Sequence, residues 1–160
     1  MKKQAINILS GVLVVMAILV LADVGNAQRR EARGKRYTKA QVEKVIDRVE
    51  DRVDNFVKSY DKSLDNSKLD DTRREDWLMN RARDLERATD ELRSDFDRRD
   101  NWIENKDEVR KCLNIAHDID KNMKNRKYGR NTENIWAKTR VELNTLADIY
   151  NLPKVGSNAY

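Results

Sequence analysis

Apolar residues recur at helical spacing along most of this chain. The first series advances in steps of four and three residues and comprises Val42, Ile46, Val49, Val53, Phe56 and Tyr60. This spacing places its members on one face of a helix. One proline and five glycines among 160 residues leave few positions at which long helices break. The chain is therefore predicted to be all-α.

Three further apolar series follow the first. The second spans residues 78–96, the third 109–123 and the fourth 136–150. Amphipathic helices that are joined by short turns pack antiparallel into a bundle. We therefore predict an antiparallel four-helix bundle over residues 38–153, with a C-terminal tail over residues 154–160.

Capping motifs mark the predicted helix starts. Thr72 and Glu75 match the capping box, in which each side chain satisfies a backbone N–H at the start of a helix. Asn105 with Glu108 predicts the same arrangement for the third helix. Gly129 is predicted to supply the positive φ with which that helix ends.

A turn sequence occurs twice in the chain. Residues 61–66 read Asp-Lys-Ser-Leu-Asp-Asn, and residues 120–125 read Asp-Lys-Asn-Met-Lys-Asn. Trp77 and Trp136 stand at the same offset. The correspondence favours a duplicated helical hairpin, and shared helical composition is the alternative. Duplication predicts that the two tryptophans occupy equivalent positions.

The N-terminal residues have the three-part pattern of a secretory signal. Two lysines precede an apolar run over residues 12–22, and Gly25-Asn26-Ala27 supplies small residues before Gln28. The run is shorter than the roughly 20 residues that a membrane-spanning helix needs. We predict a signal helix over residues 1–27 and a periplasmic or secreted protein. An uncleaved inner-membrane anchor is the alternative.

Residues 28–37 are predicted to form a flexible basic linker. The functional alternative is attachment to an anionic surface, such as lipid headgroups or a wall polymer. Across the chain, 33 basic and 28 acidic residues are interspersed, which is typical of a solvated helical surface. The cations of the linker are Arg29, Arg30, Arg33, Lys35 and Arg36.

The sequence lacks motifs for catalysis. It has no glycine-rich phosphate loop, no Gly-x-Ser-x-Gly elbow and no His-Glu-x-x-His helix. The one histidine, His117, follows Asn114 by three residues, so the Glu-x-x-His of di-iron bundles is missing. We predict no enzyme, and no catalytic, cofactor or metal site. A bundle that holds haem or a metal through His117 is the alternative.

The one cysteine, Cys112, lies beside the third apolar series. It is predicted to be a small buried residue. An intermolecular disulfide is the alternative, because an exported protein with an odd cysteine allows one.

Four aromatic residues are candidates for contact with a partner: Trp77, Trp102, Trp136 and Tyr128. Trp102 stands in a predicted turn and is expected to be the most exposed. Arg81 and Arg140 follow Trp77 and Trp136 by four residues and are expected to stack on them. The structural alternative is that the tryptophans close the ends of the core.

Basic residues also surround Tyr128, and their composition resembles a nucleic-acid patch. They also suit the negative end of a helix dipole, and export disfavours a nucleic-acid partner. We predict a protein or envelope component as the partner and leave a homodimer open. The basic residues are Lys121, Lys124, Arg126, Lys127 and Arg130.

Two stretches carry resemblances to known proteins. Residues 136–147, Trp-Ala-Lys-Thr-Arg-Val-Glu-Leu-Asn-Thr-Leu-Ala, with residues 150–153, Tyr-Asn-Leu-Pro, resemble small exported bacterial helical proteins of unassigned function. Residues 37–41, Tyr-Thr-Lys-Ala-Gln, are similar to the Leu-Thr-x-x-Gln signature of periplasmic stress chaperones. Tyr37 replaces the leucine, and a second copy is absent. We predict an exported, non-catalytic binding, scaffold or chaperone-like module of the cell envelope.

Overall fold

Four α-helices account for most of the part of the chain that the structure describes. The computed structural model describes residues 37–67, 69 and 71–157, and the helices from Lys39 onward form one compact unit. A 3-10 helix precedes α3. The elements are α1 (Lys39–Asp65), α2 (Arg73–Arg98), the 3-10 helix (Trp102–Asn105), α3 (Lys106–Asn125) and α4 (Arg130–Tyr150).

This architecture confirms the predicted all-α four-helix bundle. The predicted signal helix over residues 1–27 lies outside the described residues, and so does the basic linker up to residue 36. Within the described part, no helix combines the length and the apolar character needed to cross a membrane.

The helices form a closed ring in which sequence neighbours are antiparallel. Helix α1 packs against α2 and α4, and α3 packs against the same two helices. Arg93, late in α2, forms an ion pair with Asp47, early in α1. Ser59, late in α1, shares a hydrogen bond of 2.7 Å with Thr132, early in α4. The α1–α2 and α3–α4 connections therefore lie at one end of the bundle, which we call the turn end.

The predicted apolar faces form the core. Phe56, Leu85 and Leu143 are fully buried, as the helical spacing requires. At the turn end, the ring of Phe56 lies 5.0 Å from that of Tyr60 and 4.8 Å from that of Trp136, measured between centroids. Burial of these faces is the main favourable contribution to folding.

The predicted capping box is half confirmed at α2, where the Thr72 side chain caps the helix but its backbone N–H does not bond to Glu75, and the cap predicted at α3 is wrong. The Thr72 side chain accepts a hydrogen bond of 3.2 Å from the backbone N–H of Glu75. Asn105 precedes α3 but makes no capping hydrogen bond, because its Oδ1 accepts a 2.9 Å hydrogen bond from Arg99 while its Nδ2 donates to the carbonyl of Trp102. Glu108 instead accepts a 2.8 Å hydrogen bond from Arg99.

Two residues with positive φ flank α4, one before its start and one after its end. Gly129 has a φ of +85° as predicted, but it precedes α4 rather than ending α3, which stops at Asn125. Asn151 has a φ of +51° and ends α4. The short polar side chain of asparagine tolerates this conformation better than most residues do.

Residues 151–157 fold back along α4, and we call them the strap. The side chain of Asn144 accepts a 2.7 Å hydrogen bond from the backbone N–H of Val155 and donates a 3.3 Å bond to its carbonyl. The side chain of Val155 is buried. Residues 154–157 of the predicted tail are therefore packed against the bundle.

The two repeated turns do not place their tryptophans equivalently. Trp77 is 43% exposed and Trp136 is 3% exposed. Asp120 accepts a hydrogen bond from the Trp136 indole, whereas Asp61 of the first turn pairs at 4.0 Å with Arg83. The expectation of equivalent positions is wrong, and the four-helix bundle does not depend on it.

Removal of a core side chain tests the packing. We expect Leu85→Ala to lower the free energy of unfolding by about 2–5 kcal/mol, because the residue is fully buried. Val141→Ala is the control, since Val141 is 62% exposed and its truncation should change stability by less than about 0.5 kcal/mol. Urea denaturation followed by circular dichroism measures both. Equal effects would contradict the assignment of the core.

Candidate functional site

Three of the four candidate aromatic residues are buried. Trp102, Trp136 and Tyr128 are 8%, 3% and 6% exposed. The expectation that Trp102 is the most exposed is wrong, because its connection folds into the 3-10 helix. The Trp102 ring there meets that of Tyr150 edge-on at 5.4 Å. These three side chains are parts of the core and not of an outer surface.

Trp77 is the exposed tryptophan of the described residues, at the start of α2. The guanidinium of Arg74 lies over its ring, 4.9 Å from the centroid. The predicted stacking partner, Arg81, forms ion pairs with Asp118 at 2.5 Å and with Asp84 at 3.3 Å. The spacing of four residues is compatible with stacking, but the carboxylates compete for the guanidinium.

Asp120 is a buried carboxylate at the junction of α3 and α4, with 2% of its surface exposed. Its Oδ1 accepts hydrogen bonds from the Trp136 indole N–H at 3.0 Å and from Arg140 at 2.9 Å. Its Oδ2 lies 2.7 Å from Nζ of Lys124. The expected stacking of Arg140 on Trp136 is therefore replaced by a shared contact with Asp120.

The surroundings of Asp120 keep it ionised. Burial raises the pKa of this carboxyl, but the hydrogen bonds from Lys124, Trp136 and Arg140 outweigh burial and hold the pKa below its ordinary value. A carboxylate in this state is not a proton donor at neutral pH. It is a structural group.

The sequence contained a signal for this burial. Asp120 continues the four-three spacing of Val109, Leu113, Ala116 and Met123, so it falls on the apolar face of α3. The helical register favoured burial, and only the tertiary structure shows the donors that make burial tolerable.

The strap passes directly over this carboxylate. Gly156 has a φ of +84°, and a Cβ atom at this position would lie 3.0 Å from Oδ2 of Asp120 and 3.2 Å from Nζ of Lys124. Any larger residue would therefore be strained and would also crowd the ion pair. Asp120 and the strap belong to one packed unit.

Replacement of Asp120 tests this unit. We expect Asp120→Asn to lower the free energy of unfolding at pH 7 by about 2 kcal/mol, because it removes the charge that its buried donors require. A depressed carboxyl pKa stabilises the fold above the ordinary value of 3.8, and this contribution is lost as the pH falls through the folded-state pKa. The loss of stability caused by Asp120→Asn should therefore be smaller at pH 3 than at pH 7.

Asp118→Asn is the matched control for Asp120→Asn. Asp118 is on the same helix, but its side chain is 43% exposed, so loss of its ion pair should cost less than about 1 kcal/mol. Urea midpoints at pH 7 and pH 3 give both comparisons. Equal destabilisation by the two substitutions would show that Asp120 has no special structural role.

Cys112 is buried in the core, as its position beside the third apolar series predicts. Cys112 is fully buried, and its thiol donates a 3.3 Å hydrogen bond to the carbonyl of Ala88. Burial raises its pKa to about 12, so the nucleophilic thiolate is scarce at neutral pH. His117 is half-buried on α3. Among the described residues, no three His, Cys, Asp or Glu side chains are grouped to hold a metal ion.

An acidic seam follows the α1–α2 interface at the surface, formed by Glu50, Asp54, Glu86 and Asp90. Burial and the charges of neighbouring carboxylates raise the pKa values of Glu50, Glu86 and Asp90. Asp54 contributes to all three shifts. The seam therefore opposes folding at neutral pH.

Neutralisation of Asp54 should relieve this repulsion. We expect Asp54→Asn to raise the free energy of unfolding at pH 7 by about 0.5 kcal/mol, a value limited by solvent screening. Since raised carboxyl pKa values destabilise the fold only while the groups are charged, the gain should diminish as the pH falls and the seam becomes protonated. Urea midpoints at pH 7 and pH 4 measure it. A loss of stability at pH 7 would contradict the repulsion.

A basic corner lies at the α3–α4 connection and consists of Lys121, Arg126, Lys127 and Arg130. All four residues are exposed. None of them forms an ion pair within the described part of the chain. By contrast, Lys124 in the same stretch is engaged by Asp120. As far as the described residues show, these four cations are available to an external anion.

Helix electrostatics does not account for every member of the corner. Lys121 lies in the C-terminal half of α3, whose dipole favours positive charge toward that end. Arg130 is the first residue of α4, where the dipole disfavours a cation. Arg126 is the C-cap of α3, where the dipole favours a cation, and Lys127 follows it. Helix electrostatics therefore leaves Arg130 as the unexplained member of the corner.

Comparison with family models, curated proteins and solved structures gives no match. The resemblances to small exported helical proteins and to stress chaperones therefore stay predictions. The linker cations lie outside the described residues, and their role in surface attachment also stays a prediction. They are Arg29, Arg30, Arg33, Lys35 and Arg36.

Proposed function

We propose that this chain is an exported, non-catalytic binding module that attaches to an anionic component of the cell envelope through the basic corner. The observation that carries the proposal is the cluster of exposed cations without ion pairs at the α3–α4 connection. Other cations that form no ion pair with a described residue, among them Lys44, Arg52 and Lys138, lie along α1 and α4. Clustered charge attracts an anionic surface more strongly than dispersed charge does.

The distribution of apolar side chains argues for charge rather than apolar contact as the basis of binding. The large exposed hydrophobic residues among those described are Trp77, Ile103 and Val141. They belong to α2, the 3-10 helix and α4, and single exposed apolar residues of this kind are ordinary. A chaperone-like module needs a continuous apolar surface, so this variant of the proposal has less support.

The acidic seam favours one orientation of the protein on an anionic surface. It runs between α1 and α2, whereas the basic corner joins α3 and α4 on the other side of the ring. An anionic surface attracts the corner and repels the seam. The α3–α4 connection should therefore face the surface, with the seam turned away.

Salt-dependent binding tests the proposal. We expect the protein, recovered from the envelope fraction, to bind anionic vesicles or an anionic wall polymer at low salt and to bind more weakly as salt rises. The triple substitution Arg126→Gln, Lys127→Gln, Arg130→Gln should weaken binding about a hundredfold, since each cation near an anionic surface contributes about 1 kcal/mol. Co-sedimentation measures the bound fraction.

The matched control is Lys44→Gln, Arg52→Gln, Lys138→Gln, which removes the same charge from elsewhere on α1 and α4. It should retain most of the binding. Equal losses from both triple variants would mean that net charge alone decides. Binding that survives the corner substitutions but is lost on deletion of residues 28–36 would transfer the function to the linker.

A further inference from the structure

Trp77 and the basic corner both lie at the turn end of the bundle. The guanidinium of Arg74 covers the Trp77 ring and also donates a 2.5 Å hydrogen bond to Asn122 on the last part of α3. The start of α2 and the α3–α4 connection both adjoin the turn end, so the indole and the corner lie at the same end of the bundle.

Two cations at this end stand where helix stability does not favour them, although acidic residues also occupy the first turns of α2 and α4. Arg74 is the second residue of α2 and Arg130 the first residue of α4, where each cation faces the positive end of a helix dipole. Trp77 also leaves 43% of its surface in water, although Trp102 and Trp136 are buried. An exposed indole beside unfavoured cations indicates a surface selected for contact.

An indole and a group of cations have complementary uses at a bilayer surface. Cations are attracted to anionic headgroups, and tryptophan favours the interfacial region, where its ring meets apolar chains and its N–H stays hydrated. A soluble polyanion satisfies the cations but offers no apolar layer to the indole. Arg74 covers one face of the Trp77 ring, which leaves that face unavailable for stacking on a sugar or a base.

We propose that the basic corner and Trp77 together form a peripheral docking surface for an anionic lipid bilayer, in which the Trp77 indole enters the headgroup region. This proposal rests on the function proposed above and names its partner. The bundle then stands with its turn end against the membrane, and the buried tryptophans remain in the core. The contact needs no change in the helical packing.

Tryptophan fluorescence in three parallel titrations tests the docking surface. The ligands are vesicles in which about a third of the phospholipid is anionic, vesicles of a zwitterionic phospholipid alone, and soluble polyglutamate. We expect a blue shift with anionic vesicles and none with the other two ligands, because Trp77 moves into a less polar layer. Trp102 and Trp136 supply a constant background, since both are buried.

Two substitutions assign the signal to its residue. Trp77→Phe should abolish the blue shift while anionic vesicles still bind, and Trp77→Ala should weaken their binding about tenfold through loss of apolar contact. The control Val141→Ala removes an exposed apolar side chain from the middle of α4 and should change neither the blue shift nor the affinity for anionic vesicles. Circular dichroism checks that each variant is folded.

The outcomes separate this inference from the proposed function. Binding to anionic vesicles and polyglutamate with equal affinity and no blue shift would overturn the docking of Trp77 and leave the electrostatic function intact. Equal affinity of Trp77→Ala and the unsubstituted protein for anionic vesicles would likewise overturn the docking of Trp77 and leave the electrostatic function intact. A protein that binds none of the anionic ligands at low salt would overturn both.

Discussion

Mutual burial of the four apolar helix faces is the constraint on which the bundle depends. Helix α1 illustrates it, because its apolar face is shared between α2 and α4, so neither contact alone covers it. The ring must close for every face to leave water, and the short connections enforce antiparallel neighbours. Aromatic side chains complete the closure at both ends, with Phe56 and Trp136 toward the turn end and Trp102 against Tyr150 at the other.

Asp120 is a buried charge within this largely apolar interior, and its neighbours are arranged around that charge. A buried carboxylate without partners would be protonated or would destabilise the fold. Here the Trp136 indole, Arg140 and Lys124 keep it ionised. The same carboxylate explains the glycine at position 156, because the strap approaches it too closely for a side chain. One polar group therefore joins α3, α4 and the strap.

Outside the core, charge is distributed unevenly around the ring. Ion pairs connect neighbouring helices along its sides, as between Arg93 and Asp47 or Arg48 and Glu142. The acidic seam and the basic corner are two surface sites at which residues of the same charge are clustered. The proposed function uses the cations of the basic corner, which form no ion pair with the described residues. The exposed indole of Trp77 adds an apolar contact with a lipid surface at the same end of the bundle.

The sequence by itself determined the helices, their apolar faces and the cap at Thr72, because these features depend on neighbours within about four positions along the chain. It also identified the cations of the α3–α4 connection. Only the tertiary structure decided which of them are unpaired, that Trp102 and Trp136 are buried while Trp77 is not, and that Asp120 has three donors. The physical reason is that exposure and pairing depend on residues from other helices, and a spacing along one helix cannot specify those partners. Trp77 and Trp136 have similar local sequences and opposite environments for this reason.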